Sequence, residues 1–327
     1  MLGSVGECIH QSTNLKLCTT YALITSSMFV LNLYLLLPKS VQKLSRDNPI
    51  QIKWRIFSVF VTIILSIAIY PFLFCDDEES TTSGSSTKSL GMTLGLTEWR
   101  LSKSLLPLCH AIVLYFGAIC TSVFQHRTLY LLRTKGTKGG LAHYIQIFVN
   151  DTFKRKIVDP FTANRWGIVR DLVIAPASEE LIFRSCIITP FLHLESFQNG
   201  TLSLTKVSWC TPLFFGIAHL HHAFKRLRQR DANKKSIILS SMFQFLFTTV
   251  FGAYASFCFI KTGSVLGVIL LHSFCNFMGL PSLHFFFNFD SKLLSELKYY
   301  KIICSLAYVV GIVCFWIGLY SSKWGVL

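Results

Sequence analysis

Apolar runs of about 20 residues alternate along this chain with short polar or basic stretches, and each run is apolar on every side. A helix needs roughly 20 such residues to cross about 30 Å of hydrocarbon. The period-two alternation over about 10 residues that a β-barrel strand would show is missing. The pattern therefore predicts an all-α, polytopic integral membrane helical bundle with about eight transmembrane helices, near 18–37, 54–74, 105–123, 172–194, 204–224, 237–260, 265–278 and 302–320. The first run is too long for the apolar part of a signal peptide, and no small-residue cleavage pattern follows it, so it is read as a retained span.

Charge orients this bundle. The chain carries 31 Lys+Arg against 16 Asp+Glu, a formal net charge of +15. A balance this basic could suggest nucleic acid, but the basic residues lie between the apolar runs. The loops after the first, third and fifth runs are basic and the intervening ones are not, which is the positive-inside signature. No nucleic-acid partner is expected. Both termini would then face the lumen, and the sequon at Asn199 falls on that side. Residues 141–148 are amphipathic and suit an interfacial helix. Residues 75–104 hold an acidic, Ser/Thr-rich loop (Asp76 to Ser86), in which no chemistry is visible. The 11 cysteines are scattered without a CxxC pair, so neither a disulfide framework nor a zinc knuckle is implied. With no internal repeat, residues 1–327 read as one integral domain.

A few polar residues inside the apolar runs break the pattern. In Ala175-Pro176-Ala177-Ser178-Glu179-Glu180-Leu181-Ile182-Phe183-Arg184, two carboxylates and a guanidinium sit in a predicted span, where each charge costs about 2.5–3.5 kcal/mol even on a lenient scale. Glu180 and Arg184 are four apart and share a helical face, so they can pair. Glu179 points about 100° away and needs a partner from another span. His219 lies near the end of the fifth run, and His272 and Asn276 share a face of the seventh. Any one of these could serve only to hold helices together through a hydrogen bond. Depth argues for more: Glu179 is seven residues past Leu172, about 10 Å into the membrane, and the fifth and seventh runs end on the same basic side. All four groups can meet at one level of a cavity open to the cytosol.

The spacing Glu179-Glu180-x-x-x-Arg184, Phe215-x-x-x-His219, His272-x-x-x-Asn276 resembles that of the type II CaaX prenyl endopeptidases, within the wider CPBP family of intramembrane proteases. The resemblance covers roughly 165–280, which would be the catalytic core. It implies release of the C-terminal aaX tripeptide from farnesylated or geranylgeranylated proteins, such as Ras-type small GTPases, at the endoplasmic reticulum membrane. Glu179 and His219 would activate water, and His272 and Asn276 would stabilise the oxyanion. Glu180 and Arg184 would support them, with Arg184 as an alternative ligand for the substrate's terminal carboxylate. The resemblance implies no cofactor. Glu179, His219 and His272 nonetheless make a zinc-type donor set, so zinc stays an alternative, although the H-E-x-x-H of the zinc-dependent CaaX protease is missing. Membrane lipid would supply the prenyl chain by lateral entry, with Phe183, Phe214, Phe215, Phe243, Phe245 and Phe247 as candidate liners. The rival reading is a non-catalytic membrane scaffold or a proton-coupled transporter using the same Glu and His residues.

Overall fold

The computed structural model describes residues 14–74, 94–96, 100–133, 141–220, 226–227, 233–280 and 294–321, and these are helical with no strand among them. Most of the acidic Ser/Thr loop, His221, His222 and most of the basic loop at 225–235 lie outside the described residues.

Local signals set the helix ends. Helix α1 (Leu15–Leu35) starts where the Asn14 side chain accepts the Leu17 N–H at 2.9 Å, relieving one of the unpaired donors of a helix start. A four-residue turn of helix, α2 (Lys39–Gln42), leads to α3 (Pro49–Phe74), which has proline at its first position. Asn32 Nδ2 donates to Thr62 Oγ1 at 2.9 Å and Tyr21 donates to the Ser66 carbonyl at 3.1 Å, tying α1 to α3. Helices α4 (Leu101–Leu114) and α5 (Phe116–Arg133) form one path bent by 55° at Tyr115. The amphipathic α6 (Leu141–Phe153) follows.

From Lys154 to Leu192 the chain is mostly helical but is kinked at Asn164 and repeatedly re-registered. Wide π-type turns at Lys154–Val158, Arg170–Ile174 and Leu181–Cys186 precede α7 (Asp159–Val169), α8 (Ala175–Glu180) and α9 (Ile187–Leu192) in turn. Such turns widen the hydrogen-bond ladder and re-aim side chains, and they gather at functional sites. The short α10 (Glu195–Gln198) leads to α11 (Leu204–Cys210) and α12 (Pro212–His219), parted at Thr211-Pro212. Helix α13 (Lys234–Thr262) is capped by Asn233 at its start and ends at Gly263, whose φ of 65° is the left-handed conformation glycine tolerates best. Ser264 caps α14 (Val265–Met278) immediately afterwards, and α15 (Leu294–Leu319) completes the fold.

Among the described residues four helical segments are long and apolar enough to span a membrane: Leu15–Leu35, Pro49–Phe74, Lys234–Thr262 and Lys301–Leu319. The bent pair α4 and α5 makes a fifth. The three other expected spans coincide with helix that is cut or short. Residues 172–192 are interrupted by π-type turns, 204–219 are divided at Pro212, and α14 has 14 residues, about 21 Å of rise. Outward faces carry bare apolar side chains, such as Leu23 and Ile24 on α1, Phe60 and Ile64 on α3, and Val309 and Val313 on α15. A multi-pass membrane protein meets lipid with such surfaces.

Candidate active site

The stretch Glu179 to Arg184 owes its arrangement to the cost of burying charge. Glu180 and Arg184 are 0% and 1% exposed, and Arg184 Nε lies 3.0 Å from Glu180 Oε2. The approach is that of an ion pair without hydrogen-bond alignment, and none of the guanidinium nitrogens makes a hydrogen bond among the described residues. The guanidinium instead lies over the Phe215 ring at 4.8 Å and faces Phe251 at 6.0 Å, so cation–π attraction supplements the ion pair. Close helix approach makes this possible. A Cβ on Gly252 would come within 2.7 Å of Pro212 and one on Gly216 within 2.6 Å of Thr249 Oγ1, so glycine lets α12 and α13 meet beside Arg184.

Glu180 has a second partner. His272 Nδ1 donates to Glu180 Oε1 at 2.7 Å, across 92 positions of sequence. This fixes the ring and turns Nε2 towards Glu179, whose Oε2 is 3.9 Å away. That separation exceeds a direct hydrogen bond. His272 thus stands between the two carboxylates, and Arg184, Glu180, His272 and Glu179 form one chain of charged or polar contacts. Removing one member of such a buried chain leaves its neighbour uncompensated.

His219 is held by its own helix. Nδ1 donates to the Phe215 carbonyl at 2.8 Å. Because a carbonyl only accepts, the proton of the neutral ring sits on Nδ1 and the Nε2 lone pair is free. Asn276 Nδ2 donates to the Asp171 carbonyl at 3.0 Å, which leaves its second N–H and its amide oxygen. Asp171 is itself clamped by Arg170, 2.6 Å away, and Arg170 reaches Asp47 at 3.0 Å. The last turn of α14 is pinned as well: Lys156 Nζ donates to the carbonyls of Phe277 and Met278 at 2.8 and 3.1 Å, and Tyr115 donates to that of Gly279 at 3.1 Å.

Glu179, His219, His272 and Asn276 all line one cavity of about 490 Å³. Each element offers it one stripe at helical spacing: Phe215 and His219 from α12; Gln244, Phe247, Thr248 and Phe251 from α13; His272, Cys275 and Asn276 from α14. Glu179 is partly buried, with 17% of its side chain exposed. Glu180 and Arg184 lie behind this wall, in neither cavity beside Glu179. The Arg184 guanidinium is enclosed by Glu180, Phe215 and Phe251. Of the six candidate liners, Phe215 and Phe247 face the cavity, whereas Phe183 packs against Phe29 and Phe215. The lining residues Gln244, Thr248 and Phe251 went unread in the sequence. Their signal was the polar Gln244 and Thr248 four apart in an apolar run. Among the described residues no group of three His, Cys, Asp or Glu side chains is placed to hold a metal ion.

Comparison with known proteins matches this region. The family model described as "Type II CAAX prenyl endopeptidase Rce1-like" matches residues 161–278. The chain is 31% identical over 255 residues to the CAAX prenyl protease 2 of Saccharomyces cerevisiae, covering 73% of this chain and 75% of that protein. It is 35% identical over 240 residues to the Homo sapiens CAAX prenyl protease 2, covering 73% of this chain and 65% of the relative. With the Arabidopsis thaliana protein of the same name it shares 34% over 184 residues, 54% of each chain. The chain thus spans between about half and three quarters of the length of these relatives. No solved structure matches the chain.

Proposed function

Because the chain belongs to the type II CAAX prenyl endopeptidase, Rce1-like, family, we propose that it releases the aaX tripeptide from prenylated CaaX proteins through water activated between Glu179 and His219. The observation that carries this reading is the shared cavity, which gathers Glu179, His219, His272 and Asn276 from three separate elements. Water attacks the scissile carbonyl carbon as its proton passes to Glu179 or to the free Nε2 of His219. The oxyanion then accepts from the uncommitted N–H of Asn276, on the side of the site towards which the bond to Glu180 turns His272 Nε2. As the tetrahedral species collapses, the C–N bond breaks and the proton moves to the leaving amine. The products are a prenylcysteine carboxylate and a free tripeptide. Glu180 and Arg184 hold His272 in place and do not touch the reacting atoms.

The aromatic stripe of Phe215, Phe247 and Phe251 suits a prenyl chain, each buried CH₂ of which contributes about 0.8 kcal/mol. The basic loops support an eight-span arrangement with the cavity open to the cytosol, and the endoplasmic reticulum and Ras-type GTPases are the corresponding location and substrates. We assign the reaction to a metal-free glutamate/histidine mechanism. The test is incubation of membranes bearing the protein with a farnesylated CaaX peptide, with tripeptide release followed by mass spectrometry. Release that survives exhaustive chelation supports the assignment. Loss on chelation restored by zinc selects the zinc mechanism, and no release by the wild type returns the chain to the scaffold or transporter class.

A further inference from the structure

A second, smaller cavity adjoins the first, and Arg46, Ala175, Glu179 and His219 line both. The proposed catalytic pair therefore stands at the junction of two compartments of different chemistry. The larger is aromatic. The smaller has an aliphatic wall from one face of α3, where Ile52, Ile56 and Val59 follow helical spacing, and a cationic border of Arg46, Arg55 and Arg170.

The three arginines are not equivalent. Arg170 is saturated by Asp171 and Asp47. Arg55 shares the spacing of the apolar wall, and its Nε is shielded from solvent without a hydrogen-bond partner. No carboxylate among the described residues pairs with the side chain of Arg55 or Arg46. Among the described residues Glu179 is the one acidic side chain lining this compartment, beside the three arginines. A shielded guanidinium whose charged neighbours are mostly cations calls for an anion from outside the protein.

We infer that this compartment receives the aaX end of the substrate, with its aliphatic side chains on the α3 face and its terminal carboxylate on Arg55, assisted by Arg46. This rests on the endopeptidase reading and deepens it. A substrate spanning the junction would leave its prenylcysteine in the aromatic cavity and place the bond to be cut beside Glu179 and His219. The arrangement also explains how an endopeptidase would measure three residues from a chain end: the carboxylate is bound, and the catalytic pair lies a fixed distance away. A guanidinium matches a carboxylate in planarity and can donate to both oxygens.

Two farnesylated peptides of one sequence, ending in a carboxylate or in an amide, provide the test, because amidation removes only the terminal charge. Wild type is expected to favour the acid by about tenfold or more in kcat/KM, the size of a charge-assisted hydrogen bond. Arg55→Gln should bring that preference close to one, chiefly through the KM of the acid peptide. Arg46→Gln, on a more exposed residue, should lower it by less and guards against a folding failure of the first variant. Wild-type cleavage of both peptides at equal efficiency overturns this inference alone, as does an Arg55→Gln defect equal on acid and amide. If that equal defect also tracks the anionic lipid content of the vesicles, the arginines hold a lipid phosphate instead. Cleavage of neither peptide by wild type overturns the endopeptidase reading and this inference with it.

Discussion

Helix α13 and the run from Arg170 to Leu192 are both apolar stretches of spanning length, yet one is a single unbroken helix and the other is cut by two π-type turns. The difference follows from what each buries. Helix α13 presents Leu239, Met242, Phe243 and Leu246 outward and needs nothing from neighbours on that face beyond apolar contact. The run at Arg170–Leu192 carries Arg170, Asp171, Glu179, Glu180 and Arg184, which pair with one another and with Asp47 and His272 of other elements. A regular helix fixes side-chain directions at 100° intervals. Within α8 that step turns Glu180 towards His272 and Arg184 while its neighbour Glu179 faces the cavity, and the π-type turns re-register the chain on either side of it. The regular helix is shaped by the solvent around it, and the irregular one by the polar groups within it.

The sharpest division inside the irregular run is between the two glutamates. Glu179→Gln keeps the shape and removes the base, so tripeptide release should fall by about 10³-fold or more with protein abundance and thermal stability near wild type. Glu180→Ala should act through structure. It leaves Arg184 and His272 without their carboxylate, a loss of about 3–5 kcal/mol in a buried pair, read as a lower melting temperature and reduced abundance. Per folded molecule it should impair cleavage less than Glu179→Ala. Equal abolition by the two alanine variants at equal abundance would remove the distinction between a reacting and a supporting carboxylate.

Asn276→Ala tests the opposite wall. Loss of one oxyanion donor costs about 2.7–4 kcal/mol in hydrolases where it has been measured, so kcat should fall by roughly 10²–10³-fold with KM little changed. Asn276 also donates to the Asp171 carbonyl. A change dominated by melting temperature, with kcat preserved, would show that this bond is its whole contribution.

The long helices were legible because hydropathy reports directly on lipid contact. The expected spans 18–37, 54–74, 237–260 and 302–320 fall on Leu15–Leu35, Pro49–Phe74, Lys234–Thr262 and Lys301–Leu319. Their true starts lie earlier where a polar turn precedes the apolar run, as Pro49 to Lys53 does in α3. The bend at Tyr115 and the π-type turns were invisible, since hydrogen-bond register leaves no trace in an apolar–polar pattern. The polar quartet could be read from its depth, and the pairing of Glu180 with Arg184 from its spacing of four. The bond from His272 to Glu180 could not, because it depends on the packing of α14 against α8. Nor could the place of Arg55 at the smaller cavity, since it reads in sequence as one more charge of a basic loop.

The weakest expected effect belongs to the outer face of α13. Leu246 is 62% exposed, and its neighbour Phe247, one residue and about 100° further round the helix, lines the larger cavity. In a lipid bilayer Leu246→Ala exchanges one apolar surface for another against the same hydrocarbon, so no cavity opens and no desolvation is lost. The variant should stay within about 0.5 kcal/mol of wild type in stability and retain its kcat/KM, as measured in nanodiscs. Phe247→Ala, removing a ring from the proposed prenyl-binding wall, should raise the KM of a farnesylated peptide several-fold. If Leu246→Ala proves as damaging as Phe247→Ala, the outer face of α13 has a protein neighbour or a lateral substrate path of its own, and its regularity reflects more than contact with lipid.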